Sequence, residues 1–297
     1  MPCSLKEQIR VTNYLCRLRG GSQPILVRAS DDNLYVVKFF ANPQGQNLLF
    51  NEAAGSELFK AMRLPVPEWK PLRLGAEFLE ANPLIAKMGT KSAGMQCHSS
   101  ICFGSRYMGG DDQSLLEILP SSSFKRVRNL EAFLMAWVLD VAAGHTDNRQ
   151  ALFLREETGR LKAVFVDHGN MFGGAAGTVN PHAQASAYLD KRIYPQISSA
   201  TKEKMIQHLN KIDPDRLWKR VLVLPEEWTT QLALANFSRC LEQLANACAM
   251  ESIVEQLLYF VEMAHRQTKE VPYERKHTLA LPRPGFDFCA GQCSAIA

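Results

Sequence analysis

Two acids, Asp147 and Asp167, stand twenty positions apart near the ends of the stretch HTDNRQALFLREETGRLKAVFVDHGN, residues 145–170. Between them the apolar run Ala151 to Leu154, a polar segment from Arg155 to Arg160 and a second apolar run from Leu161 to Val166 predict a β-hairpin. A hairpin returns its ends to one place, so Asp147, Gln150 and Asp167 should meet. An acid to orient an attacking hydroxyl, an amide close by and a second acid just ahead of a glycine, Gly169, to hold magnesium are the groups that phosphoryl transfer from ATP needs.

That chemistry also needs a cation for the phosphates, and the sequence offers Lys38. It sits in LeuTyrValValLysPhePhe, a strand pattern in which it shares a face with Val36 and Phe40. An amine there must snorkel to solvent or find an anion. Fourteen residues on, Glu52 falls within the stripe Leu48, Glu52, Gly55, Phe59, Met62 of a helix expected over 46–62. An inward carboxylate needs a positive partner, and Lys38 is the nearest candidate. Upstream, Gly20, Gly21 and Ser22 form a turn between two strand patterns, 10–18 and 24–29. Its N–H groups could lie over phosphates. It serves equally as a plain hairpin, since two glycines fall short of a full Gly-x-Gly-x-x-Gly loop.

The remaining elements must hold these groups in position. Pro65 and Pro67 stop the helix, and the chain is expected to cross between lobes there. Residues 84–88 read as a strand. The stretch 72–110 should contain a hinge with backbone groups for an adenine, and Ser105 and Arg106 read as an ordinary turn or an anion contact. From about Ser123, the positions Leu130, Phe133, Leu134, Trp137, Val138 and Val141 predict a core helix. Asp140 on that helix either braces the loop bearing Asp147 or faces solvent. Residues 171–195 are expected to loop around the acceptor. Helices are predicted at about 201–212, 214–221, 229–247 and 250–267, followed by a poorly ordered tail over 271–297.

Composition narrows the class. With 297 residues the chain can bury a substantial core, and its 34 basic against 30 acidic residues leave a net charge of +4, too small to argue for a nucleic-acid partner. No apolar run reaches the ~18 residues of a membrane span, and the N-terminus lacks a signal-peptide core, so a cytoplasmic protein without a membrane partner is expected. The eight cysteines are scattered and read as reduced thiols. Cys289 and Cys293 form a C-x-x-x-C pair with no second ligand pair at zinc spacing.

Taken in chain order, these motifs resemble those of the HipA-like kinases, in the compact branch without the extra N-terminal subdomain. The residues that carry the likeness are GlyGlySerGlnPro at 20–24, ValValLysPhe at 36–39, AsnGluAlaAlaGly at 51–55, LeuProValProGlu at 64–68, PheGlySerArg at 103–106, TrpValLeuAsp at 137–140, HisThrAspAsnArgGln at 145–150 and ValAspHisGly at 166–169. The resemblance implies an α+β, two-lobed protein-kinase-like fold over 10–270. Its N-lobe, 10–90, would be a small antiparallel sheet with one helix; its mainly helical C-lobe, 110–270, would contain the catalytic hairpin. It further implies ATP and Mg2+ as cofactors and a hydroxyl acceptor, in known members a protein serine or threonine. Lys38 would hold the phosphates with Glu52 behind it, Asp147 would orient the acceptor, and Asp167 would bind magnesium. One departure stands out: five positions after Asp147, where the family carries a metal-binding asparagine, this chain has Leu152, with Phe153 beside it. Gln150 or Asn148 must substitute, and Gln150, just ahead of the strand, is the better placed. The same acids would also serve a small-molecule kinase of the aminoglycoside or lipid type, and a nucleotide-binding scaffold without transfer is the other alternative.

Overall fold

The computed structural model describes residues 8–40, 42–86, 100–109, 115–177 and 187–270. Its N-terminal part is an antiparallel sheet of β1 (Val11–Arg17), β2 (Ile25–Ala29), β3 (Leu34–Lys38), β4 (Trp69–Leu74) and β5 (Ser100–Arg106), in the order β1-β2-β3-β5-β4. Successive residues of a strand point to opposite faces, yet Ile25, Leu26 and Val27 are all buried, so both faces of the sheet are covered. On one face Ile25, Val27, Tyr35, Val37, Leu72 and Leu74 pack with Phe78, Leu79 and Ile85 from two short helices, α2 (Ala76–Ala81) and α3 (Pro83–Ala86). Alternation then turns Lys38 to the other face, where α1 (Leu48–Ala61) lies.

Three expectations for this half need correction. Residues 84–88 do not begin a strand: Pro83 opens a helical turn, a position where its fixed φ and missing N–H are tolerated, and 87–88 lie outside the described residues. The chain does not leave the sheet at 64–69 but returns to it as β4, whose Pro71 is accommodated because β4 is the edge strand. Ser105 and Arg106 do not form a turn. Both belong to β5, Ser105 opposite Val36 and Trp69, with the Arg106 guanidinium 6.0 Å from the Tyr35 ring centroid. Among the described residues of this half, α2 and α3 join the one helix expected, α1.

The C-terminal part is mainly helical. A short 3-10 turn at Ser121–Arg126 precedes α4 (Glu131–Ala142), so the helix expected from Ser123 starts later, with Leu130 as its N-cap. The hairpin forms as read: β7 (Gln150–Arg155) pairs with β8 (Leu161–Val166), Gln150 opposite Val166, and the two-residue β6 (Leu115–Leu116) adds to its outer edge. Then follow α5 (Ser199–Leu209), α6 (Pro214–Val221), α7 (Gln231–Ala245) and α8 (Ala247–Glu270). Phe133 of α4 centres an aromatic cluster, with ring centroids 6.3 Å from Phe153, 5.0 Å from Phe165 and 5.4 Å from Tyr188. Phe153 is thus core, as its place on the strand demands. Trp137 stacks on Phe260, fixing α4 to α8.

The antiparallel sheet with its helices, followed by the helical part with its hairpin, is a two-lobed, kinase-like arrangement. Among the described residues, no helix is long and apolar enough to cross a membrane, and the Cys240 and Cys248 thiols are free. The tail from 271, with Cys289 and Cys293, lies outside the described residues, as does part of the 171–195 loop.

Candidate active site

Helix α1 is the element on which the site is assembled, and it is buried on every side: all residues from Leu48 to Phe59 are covered. It is pinned to the C-terminal lobe by polar side chains whose burial makes their hydrogen bonds obligatory. Asn51, 1% exposed, directs its amide nitrogen at the carbonyls of Gly169, Met171 and Gly174, at 2.9, 2.7 and 3.2 Å. Asn47 accepts a bond from Thr230 Oγ1, and its N–H donates to the Ala175 carbonyl. Farther along, Glu57 accepts from Trp69 Nε1 and pairs with Arg220 of α6. At Gly55 the helix passes so close to the following strand exit that a Cβ would stand 2.6 Å from that of His168.

This seating delivers Glu52 to Lys38. The ammonium is ion-paired with Glu52 and donates to Asp167 Oδ1 at 2.8 Å. Glu52 also accepts the N–H groups of His168, at 3.2 Å, and Gly169, at 2.9 Å. Burial opposes the charge on Lys38, but the two carboxylates outweigh it and raise its pKa above the ordinary lysine value. Burial likewise works against Asp167, where the charge and hydrogen bond of Lys38 prevail and hold the pKa below the usual carboxylate range. Glu52 is shifted upward by its burial, with Lys38 pulling the other way. One ammonium shared by two acids leaves the more exposed of them, Asp167, the more firmly ionised. Its backbone is left-handed, φ 61°, which turns its second oxygen, Oδ2, toward Gln150 Nε2 at 2.8 Å.

Asp147 is exposed at the same end of the hairpin, ahead of its first strand, where Asn170 Nδ2 lies 3.4 Å from its Oδ2 and the Thr146 N–H donates to the Asn170 carbonyl at 3.0 Å. Asn148, also exposed, donates its N–H to Asp147 Oδ1. The structure therefore brings Lys38, Glu52, Asp167 and Gln150 into contact and ties Asp147 to the same turn. Gly20, Gly21 and Ser22 form a separate contact group: the Ser22 carbonyl accepts from Asn42 Nδ2 at 2.9 Å, and Gly21 packs on Gln44. Pairing of Ile25 with Val37 sets this turn beside the Lys38 end of the sheet. Gly20, at φ 144°, takes a conformation that glycine adopts readily.

Behind the hairpin lies a buried network. Asp140 receives Arg149 in a two-pronged pair, Nε to Oδ2 at 2.9 Å and Nη2 to Oδ1. Although burial disfavours its charge, Arg149 brings the Asp140 pKa down to about 2. His168 is kept neutral by burial and the neighbouring guanidinium, its pKa well below the ordinary value. Of the two readings of Asp140, the brace is the one found. Arg149, Asn51 and Asn170 went unread in the sequence; an acid inside the apolar segment TrpValLeuAspValAla was the signal that a buried cation had to follow.

No protein-family model matches the sequence, and no curated protein matches it. Solved structures do. A proinflammatory kinase of Helicobacter pylori, CtkA, superposes with a TM-score of 0.53 at 12% identity, covering 84% of this chain and 96% of that one. The Golgi casein kinase is similar at TM-score 0.49 in two structures: with Mn/ADP bound, at 12% identity over 87% of this chain and 74% of that one, and a second at 14% over 83% and 72%. The likeness to the Helicobacter kinase, at that identity, establishes the fold: this chain has the two-lobed architecture of a kinase.

Proposed function

We propose that the chain is an ATP- and magnesium-dependent kinase of the HipA-like kind, passing the γ-phosphoryl group to a hydroxyl, foremost a protein serine or threonine. The observation that carries this reading is the Lys38 ammonium joining Glu52 and Asp167 within a kinase fold. Such a cation, held by a helix glutamate, suits the phosphates of a nucleotide, and Asp167, kept ionised, suits a divalent metal. Asp167 and Gln150 fit magnesium by donor chemistry: an anionic carboxylate and a carboxamide, adjacent on the open side of the cluster, are the hard oxygen ligands that it takes. Gln150 would turn its carboxamide to present oxygen in place of nitrogen, a rotation open to an exposed side chain. Magnesium bound there would offset phosphate charge. Gly20, Gly21 and Ser22 would cover the phosphates from the sheet side. Asp147 would accept the proton of the incoming hydroxyl, with Asn170 fixing the carboxylate. Transfer of this type asks for positioning and charge neutralisation more than for covalent help.

Incubation with ATP and magnesium, followed by phosphate release, autophosphorylation and mass spectrometry of candidate protein and small-molecule acceptors, tests the proposal. In Asp147→Asn, transfer should fall by about 100-fold or more while magnesium–ADP still raises the melting temperature. Absence of transfer in the wild type, with nucleotide stabilisation intact, would make the chain a nucleotide-binding scaffold. Full turnover in Asp147→Asn would remove that acid from the mechanism.

A further inference from the structure

We propose that Arg149 is a positioning residue for this site, using a buried pair with Asp140 to hold the backbone of Asp167 in the conformation that presents its carboxylate to Lys38 and Gln150. The catalytic consequence rests on the function proposed above; the positioning itself does not.

Arg149 lies between Asp147 and Gln150 in sequence, yet its side chain is 1% exposed. A buried guanidinium is tolerated only when its donors are satisfied, and those of Arg149 are divided among separate parts of the site. Nε and Nη2 bind Asp140, at the C-terminal end of α4. Nη1 donates to the carbonyls of Val166 and Asp167, at 3.1 and 3.3 Å, and lies 3.2 Å from His168 Nδ1. Nη2 is also 3.1 Å from His145 Nδ1. The flat face covers the Phe59 ring of α1, with 4.8 Å to the centroid. The Arg149 N–H itself donates to the Ala187 carbonyl at 3.1 Å. A pair serving stability alone needs only its counterion. Here the other half of the fork is directed at the carbonyl of Asp167, a non-glycine residue in a left-handed conformation that something must hold in place. Lysine cannot replace it: one compact ammonium cannot meet a carboxylate with two prongs and reach two carbonyls beyond it.

The test uses Arg149→Lys, which keeps the charge, and Asp140→Asn, which keeps the volume, so that a fold lost in one is examined in the other. Hydrogen exchange on the ligand-free protein needs neither nucleotide nor metal. The amides of His168 and Gly169, bound by Glu52, should exchange about ten-fold faster or more, while amides in the middle of α8 keep their wild-type rates. Unchanged exchange at His168 and Gly169, or an equal loss of protection throughout the molecule, overturns the proposal. In the kinetic arm, kcat should fall and the magnesium concentration for half-maximal rate should rise, each by about ten- to a hundred-fold, with the KM for ATP within about two-fold of wild type because Lys38 and Glu52 remain. Wild-type kcat and magnesium dependence in a folded Arg149→Lys would also overturn it. Should the wild type show no transfer, the proposed function falls, and the exchange arm still decides whether Arg149 positions Asp167.

Discussion

Replacing Gly55 by alanine sets two effects of opposite sign against each other. In the middle of a helix such as α1, alanine is ordinarily favoured over glycine by about 1 kcal/mol, because glycine gives up more backbone freedom on folding. At this position the new methyl group would stand 2.6 Å from His168 Cβ, 2.7 Å from Met171 Sδ and 3.0 Å from His168 Cγ. Carbon atoms in contact prefer about 3.5–4.0 Å. The Met171 thioether can swing aside, but His168 Cβ is attached to backbone whose N–H is bound by Glu52 and whose neighbouring carbonyl is bound by Arg149. It can retreat only by moving Asp167. Overpacking of this kind costs roughly 1–3 kcal/mol, and a contact this short belongs at the upper end. Gly55→Ala should therefore destabilise the protein by about 2 kcal/mol despite its better helix propensity. Urea unfolding followed by tryptophan fluorescence would register a lower midpoint at unchanged slope. The thermal shift given by magnesium–ADP should shrink as well, since α1 carries Glu52. A Gly55→Ala protein as stable as wild type, or more so, would show that α1 does not approach the 168–171 turn this closely, and the seating of Glu52 argued above would fail with it.

Two further expectations concern the same contacts. Asn51→Ala removes an amide whose two hydrogens serve the Gly169, Met171 and Gly174 carbonyls. The Met171 and Gly174 carbonyls keep the N–H groups of Gly174 and Gly177, whereas the Gly169 carbonyl loses its donor. Leaving one buried carbonyl unpaired costs about 1–3 kcal/mol, so calorimetry should show a loss of that size, and a change below about 0.5 kcal/mol would mean that the Gly169 carbonyl has another partner. His168 provides a pH test. Its folded pKa lies well below the ordinary histidine value of 6.5, so its contribution to stability is complete above pH 6.5 and is lost as the pH falls from there through the folded pKa, because the unfolded chain takes up the proton first. His168→Gln should flatten the decline in stability just below pH 6.5 relative to wild type; parallel curves would exclude the buried neutral imidazole.

What the sequence disclosed, and what it withheld, follows from how burial marks residue patterns. Lys38 and Glu52 were legible because each interrupts an apolar pattern, and a charge in such a place demands a partner. The hairpin was legible because two apolar runs bracket a polar turn, which sets Asp147 and Asp167 at one end whatever surrounds them. Asp140 gave half its answer: an acid in an apolar helix must be paired or reach solvent, and only the fold shows Arg149 arriving from nine residues downstream. Arg149 itself carried no mark, since an arginine among threonine, aspartate, asparagine and glutamine looks like an exposed loop. Strand β4 was hidden by Pro71, which argues against a strand unless that strand is known to be an edge. Asn51 was hidden by the opposite circumstance. A periodicity argument looks for a polar face, and in α1 a polar residue next to Glu52 passes for one, yet α1 has no exposed face along Leu48–Phe59. A helix lying between the sheet and the helical lobe must turn polar groups inward on more than one side. Those groups, Asn47, Asn51 and Glu57 beside Glu52, fix its rotation and height against the 168–175 segment. The complete burial that hides α1 from a pattern reading is what lets it set Lys38 against Asp167.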